Sequence, residues 1–116
     1  VTLRAVLGPR DDWFTEQART LLAVTAWRVA PETDRVGTRL VGPPLPRAIG
    51  GELSSEGLVR GAVQVPASGQ PLVFGPDHPT TGGYPVIACV IGQDADALAQ
   101  AGPGTIVRFD VVRRPW

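Results

Sequence analysis

The chain contains no lysine and no methionine; all eleven of its basic residues are arginines, with a single histidine and a single cysteine. Without lysine, a Schiff base or a lysine general base within the chain is excluded. One cysteine forms neither an internal disulfide nor a cysteine-based zinc site, and a lone His78 excludes a two-histidine metal site, so no metal is expected. The longest purely apolar stretches, such as Val86–Ile91, fall far short of the roughly 20 residues a spanning helix requires. No basic segment followed by an apolar stretch opens the chain, so neither a secretory signal nor a membrane partner is expected, and a cytoplasmic location follows. Eleven acidic residues cancel the arginines, which leaves no bulk charge to attract nucleic acid. With Val1 first and methionine missing, a processed product or a piece of a longer chain is expected.

What is present is a single-domain chain, 116 residues long, of ordinary globular composition with 43% apolar and 19% charged residues. Its 14 glycines and 12 prolines argue for many turns and short elements. Thr2–Leu7 alternates as a strand should, and Gly8-Pro9 ends it. Asp11 or Asp12 is placed to cap a helix through about Leu22. Ala23–Ala30, rich in β-formers, is expected to be the next strand, and Asp34–Val41 a turn leading into another. Further strands are expected at Leu58–Val65, Leu72–Phe74, Val86–Ile91 and Ile106–Val112. Asp77–Gly83 is expected as a loop and Asp94 as the cap of a second short helix. The total is a mainly β (α+β) domain, best built as a closed or partly closed barrel with two short helices. Val86–Ile91 is apolar on both faces, so it must be covered on both.

The segment Asp77-His78-Pro79-Thr80-Thr81-Gly82-Gly83-Tyr84-Pro85 carries the most chemistry. Paired glycines permit positive φ and close approach of another molecule to the main chain. Amides converging at Gly82 and Gly83, with the Thr80 and Thr81 hydroxyls, form donors for an anion. Asp77 adds a carboxylate and Tyr84 a polar-tipped ring; a plain connecting turn explains the same glycines. His78 is a bystander unless the fold turns it onto Asp77. Cys89 lies in the doubly apolar strand, as a buried structural thiol would. Ser54-Ser55-Glu56-Gly57 suits either an active loop or a solvated turn. Along β-spacing, Gln64 points away from Val63 and Val65, towards whatever covers the outside of the barrel. Arg35 and Arg39, four residues apart, can each fork onto a carboxylate or simply pair at the surface.

Taken in order, Thr33-Asp34-Arg35-Val36-Gly37-Thr38-Arg39-Leu40, Ser55-Glu56-Gly57, Gly61-Ala62-Val63-Gln64-Val65-Pro66, Gly69-Gln70-Pro71 and Asp77 to Pro85 resemble the allophanate hydrolase subunit 2 family. This family is also called the biotin-dependent carboxyltransferase family, and it includes the 5-oxoprolinase C-subunit and kinase-inhibitor antagonist proteins. The likeness spans nearly the whole chain, residues 1–116, but only the C-terminal portion of the family domain. The resemblance implies a cyclophilin-like β-barrel and two partners, a subunit 1-like protein and the rest of the domain. It implies ATP-dependent opening of the lactam of 5-oxoproline by a complex, or transfer of a carboxyl group from carboxybiotin to urea. ATP would act at the level of the complex, and neither ATP nor biotin is assigned to this chain itself. Val86, where some relatives carry a basic residue, and Pro79, where many carry glutamine, depart from the pattern and weigh against carboxyl transfer more than against the fold.

Two functions follow from that resemblance. In the first, the chain is a subunit of an enzyme acting on a small amide or lactam. Asp77, Thr80, Thr81 and Tyr84 are then the catalytic candidates, while Gln64, Gly82, Gly83, Arg35 and Arg39 bind substrate. In the second, the chain is a non-catalytic regulatory partner that presents Tyr84, Trp27 and Trp116 to another protein.

Overall fold

Alternation sends Leu3 and Ala5 inward and Thr2 and Arg4 outward along β1 (Thr2–Leu7). In the computed structural model, which describes residues 1–51 and 53–112, β1 runs antiparallel to β8 (Val86–Val90) and parallel to β9 (Ile106–Val112). With β2 (Trp27–Val29), β3 (Gly37–Val41), β5 (Ala62–Gln64) and β6 (Leu72–Phe74), these strands close a barrel in the order β1-β8-β5-β6-β3-β2-β9. Two further short strands, β4 (Glu56–Gly57) and β7 (Thr81–Gly82), form a separate antiparallel ribbon. The mainly β architecture, a cyclophilin-like barrel with two helices, is the one expected.

Leu3, Val29, Leu40, Val63, Val73, Ala88 and Val107 lie in the main core. Each large aliphatic side chain buried there contributes roughly 1.5–3 kcal/mol against the entropy of ordering the chain. A smaller cluster of Leu58, Ala62, Leu72, Phe74 and Val86 forms separately. That second cluster explains why β8 is apolar on both faces. Ile87, Ala88 and Val90 belong to the main core while Val86 belongs to the smaller one.

Helix α1 (Glu16–Val24) begins later than the sequence suggests. Asp11 and Asp12 sit in a 3-10 turn, Asp11–Trp13, and Phe14 is extended, so the cap is Thr15, whose Oγ1 accepts from the Ala18 amide at 3.1 Å. The helix buries Ala18 and Leu22 and continues through Ala23 and Val24. Only Trp27–Val29 of the expected strand Ala23–Ala30 therefore pairs as a strand, because burial of the helical face outweighs β propensity. Helix α2 (Gly92–Leu98) has no side-chain cap. Asp94 instead accepts from the Arg4 backbone amide at 2.6 Å and from its guanidinium at 3.0 Å, strapping α2 to β1. This arginine contact holds the Asp94 carboxyl below its ordinary range.

The expected strand Leu58–Val65 is interrupted at Gly61, whose φ is 89° and where a Cβ would come within 2.6 Å of the Val90 carbonyl oxygen. Only glycine fits that turn. The expected loop Asp77–Gly83 contains β7. Trp27 is fully buried, with its indole Nε1 donating to the Leu22 carbonyl at 3.2 Å, so it serves the core and no interface. Trp116 lies outside the described residues. Among the described residues no helix is long and apolar enough to cross a membrane.

Candidate functional site

Period-two alternation in β5 puts Val63 in the main core and Gln64 on the opposite face. Gln64 is registered with Leu72 on β6, Leu72 with Arg39 on β3, and Gln64 with Val86 on β8. Directly opposed residues share a face with Cβ atoms roughly 5 Å apart. The outside of the barrel therefore carries one row: Arg39, Leu72, Gln64, Val86. Arg39 is exposed and makes no ion pair with a described residue.

Gln64 is 6% exposed, yet its amide makes no hydrogen bond with a described residue. No described side-chain atom is both sealed and unpaired, so the amide retains an opening. Gly82 crosses directly over it: a Cβ there would stand 2.8 Å from Gln64 Nε2 and 3.0 Å from Leu58 Cδ1.

The ribbon that carries Gly82 is held from the side. Gly82 pairs with Glu56 and Thr81 with Gly57, and the Leu58 amide donates to the Thr80 carbonyl at 2.9 Å. The Glu56 carboxylate takes a forked contact from Arg10, with Nη2 at 2.6 Å and Nε at 2.9 Å. Arg10 in turn donates its backbone amide to the Val86 carbonyl at 2.9 Å. The guanidinium holds the Glu56 carboxyl below the usual carboxylate range. Arg10 gave no signal in the sequence, because only the barrel brings it to Glu56. Neither Gly82 nor Gly83 has positive φ, so the expected concavity of converging amides is not formed. Gly82 is needed for close approach rather than for an unusual turn. The Thr80 and Thr81 side chains are exposed.

Gly83 and Tyr84 line a cleft of about 340 Å³ together with Arg47, Leu45, Pro66 and Gly69. Pro66 and Gly69 belong to the hairpin joining β5 to β6, just beyond the Gln64–Leu72 pair. Tyr84 is 47% exposed. Arg47 donates to the carbonyls of Ile49 at 3.2 Å and Gly51 at 2.9 Å, and lies 5.5 Å from the centre of the Trp13 ring. Sequence reasoning missed Arg47, which sits in a proline-rich loop with no neighbouring motif.

Arg35 and Asp77 come together, but elsewhere. Arg35 Nε donates to Asp77 Oδ2 at 2.9 Å and the Asp77 amide to the Arg35 carbonyl at 3.0 Å. Both lie past the opposite end of the β3–β6 pair, on the order of 10 Å from the Arg39–Leu72 level. His78 is occupied locally, with Nδ1 at 2.7 Å from the Pro79 carbonyl and its ring edge-on to Phe74. Cys89 donates to the Gly8 carbonyl at 3.7 Å, and burial pushes its thiol up. Among the described residues no group of His, Cys, Asp and Glu could hold a metal ion.

The outer row joins a buried neutral amide, a cation with no ion pair among the described residues and an apolar floor, with a tyrosine-lined cleft beyond its end. Such a surface suits a small planar molecule that both donates and accepts hydrogen bonds and carries a negative group.

A family model described as the carboxyltransferase domain, subdomain A and B, matches residues 1–111. The chain is 41% identical over 107 residues to the 5-oxoprolinase C-subunit of Escherichia coli, covering 92% of this chain and 34% of that protein. It is 43% identical over 110 residues to the 5-oxoprolinase C-subunit of Haemophilus influenzae, covering 95% of this chain and 36% of that one. The chain thus spans about a third of the length of the curated relatives it matches. The crystal structure of the Kluyveromyces lactis urea amidolyase superposes with a TM-score of 0.89 at 24% identity, over 96% of this chain and 7% of that one. That likeness is one of fold.

Proposed function

Because this chain belongs to the carboxyltransferase-domain family, whose model spans residues 1–111, we propose that it is part of the C-subunit of a heteromeric, ATP-dependent 5-oxoprolinase. Its share of the work is to bind the lactam on the outside of the barrel. The observation that carries this reading is Gln64: a nearly buried side-chain amide with no protein partner among the described residues, beneath Gly82 and in one row with Arg39.

A lactam presents one carbonyl and one N–H side by side, which matches the donor and acceptor of the Gln64 amide. A carboxylate on the ring is drawn to Arg39, the exposed guanidinium of the row. In ring opening, a water oxygen bonds to the carbonyl carbon, the C–N bond breaks and the nitrogen leaves carrying a proton. Negative charge gathers on the carbonyl oxygen in between. The Gly83 amide, the Thr81 hydroxyl and the Tyr84 hydroxyl are the donors this chain offers to that charge, and each such donor is worth a few kcal/mol when aligned. Thr80 supports them through its carbonyl contact to Leu58. ATP, which in this proposal would be held by the partner subunit, would supply the free energy that drives the ring opening. Asp77 acts at a distance, by holding Arg35.

Glutamate formation from 5-oxoproline and ATP, by the full-length protein with its partner subunits, tests the reading. Gln64→Ala should lower turnover at least tenfold without disassembling the complex. Carboxylation of urea in place of glutamate formation would assign a carboxyltransferase. An assembled complex whose turnover ignores Gln64 would leave the regulatory role.

A further inference from the structure

Thr38, the other buried polar side chain among the described residues, points to a second site, at the end of the barrel away from the β5–β6 hairpin. Thr38 is registered with Val73 on β6, so it shares a face with the main core. It is 7% exposed, and its hydroxyl makes no hydrogen bond with a described residue. The hydroxyl is not sealed either. Thr38 lines a hollow of about 310 Å³ between the start of β3 and helix α2, with Asp34, Arg35, Arg60, Val73 and Leu98.

The polar groups at this hollow are partly committed, and what remains defines a ligand. Arg35 is paired with Asp77, and Arg60 with Asp96 at 2.8 Å, but each guanidinium has further N–H groups. Asp34 Oδ1 accepts from the Val36 amide at 2.9 Å and the Gly37 amide at 3.2 Å, which leaves its other oxygen. Three carboxylates around two guanidiniums disfavour an anion. A neutral group that accepts on one side and donates on the other is favoured instead.

We infer that this hollow binds a small neutral amide or lactam. Its carbonyl accepts from Thr38 and a guanidinium, its N–H donates to the spare Asp34 oxygen, and its hydrocarbon rests on Val73 and Leu98. The site goes beyond the proposed function: it lies apart from Gln64, and its charge selects against the carboxylate that Arg39 would take.

The probe is 2-pyrrolidinone, a lactam with no carboxylate, titrated into the isotopically labelled protein and followed by amide chemical shifts. Saturable shifts at Thr38, Val73 and Leu98 are expected, with acetate producing none there. Thr38→Val should weaken binding at least tenfold. Should that variant fold poorly, Arg60→Ala, at an exposed position, should weaken it several-fold with an otherwise unchanged spectrum. Shifts that never saturate, that centre on Gln64 and Tyr84, or that survive both substitutions overturn the inference, as does equal binding of acetate. The readout involves no turnover, so its failure leaves the 5-oxoprolinase reading untouched.

Discussion

Gly82 and Gln64 are in such close register that the glycine has no room for a side chain: a Cβ would meet the glutamine Nε2 at 2.8 Å. The main chain of the ribbon thus forms the roof over the amide. Gly82→Ala must displace either the amide or the Leu58 methyl, at a cost of about 1–3 kcal/mol for the overpacked contact. Urea denaturation should show that loss, and Gly82→Ala combined with Gln64→Ala should recover more than half of it. Equal losses in both backgrounds would place the strain elsewhere.

Arg39→Ala should raise the KM for 5-oxoproline at least tenfold while changing stability by under ~0.5 kcal/mol, since it removes an exposed charge with no ion pair among the described residues. A fall in kcat with KM unchanged would remove Arg39 from substrate binding.

The forked Arg10–Glu56 contact should govern the ribbon rather than the barrel. Glu56 has a depressed carboxyl pKa in the folded chain, so its contribution is present above the ordinary glutamate value of about 4.3 and disappears as pH falls through the lower folded value. Amide hydrogen exchange should report this. Protection at Leu58 and in the ribbon pairs should fall in that acid range while the barrel amides stay protected. Glu56→Gln should loosen the ribbon at neutral pH and abolish its acid dependence.

Cys89 should react slowly with iodoacetamide at pH 7. Burial raises its thiol, so the thiolate needed for attack forms only at more alkaline pH than for a free cysteine. Denaturant should accelerate labelling markedly; rapid labelling of the native protein would contradict the packing described.

Thr15→Ala should cost about 1 kcal/mol by removing the cap of α1, measured by thermal or chemical unfolding. Asp12→Ala should cost less, because it does not cap the helix.

The barrel was legible because alternation at Thr2–Leu7, Leu72–Phe74 and Ile106–Val112 is strong, and those three strands fall where expected. Gln64 was legible for the same reason: its neighbours Val63 and Val65 set its face. What escaped was set by distant residues. Asp94 looks like a cap until Arg4 of β1 arrives beside it, and Leu58–Val65 looks continuous until the Val90 carbonyl forces Gly61 to turn. The candidate site was legible in part. Gln64, Arg39 and Gly82 share one surface, whereas Arg35 and Asp77, equally suggestive as a motif, sit past the other end of the same strand pair.

The parallel pairing of β1 with β9 has a consequence for biosynthesis. The last strand of the barrel seats between the first strand and β2, so a nascent chain on the ribosome exposes two bare sheet edges until residues 106–112 have emerged. Docking across that gap joins segments about a hundred residues apart, and non-local closure of this kind is slow. Synthesis must therefore run past β9 before the sheet can seal.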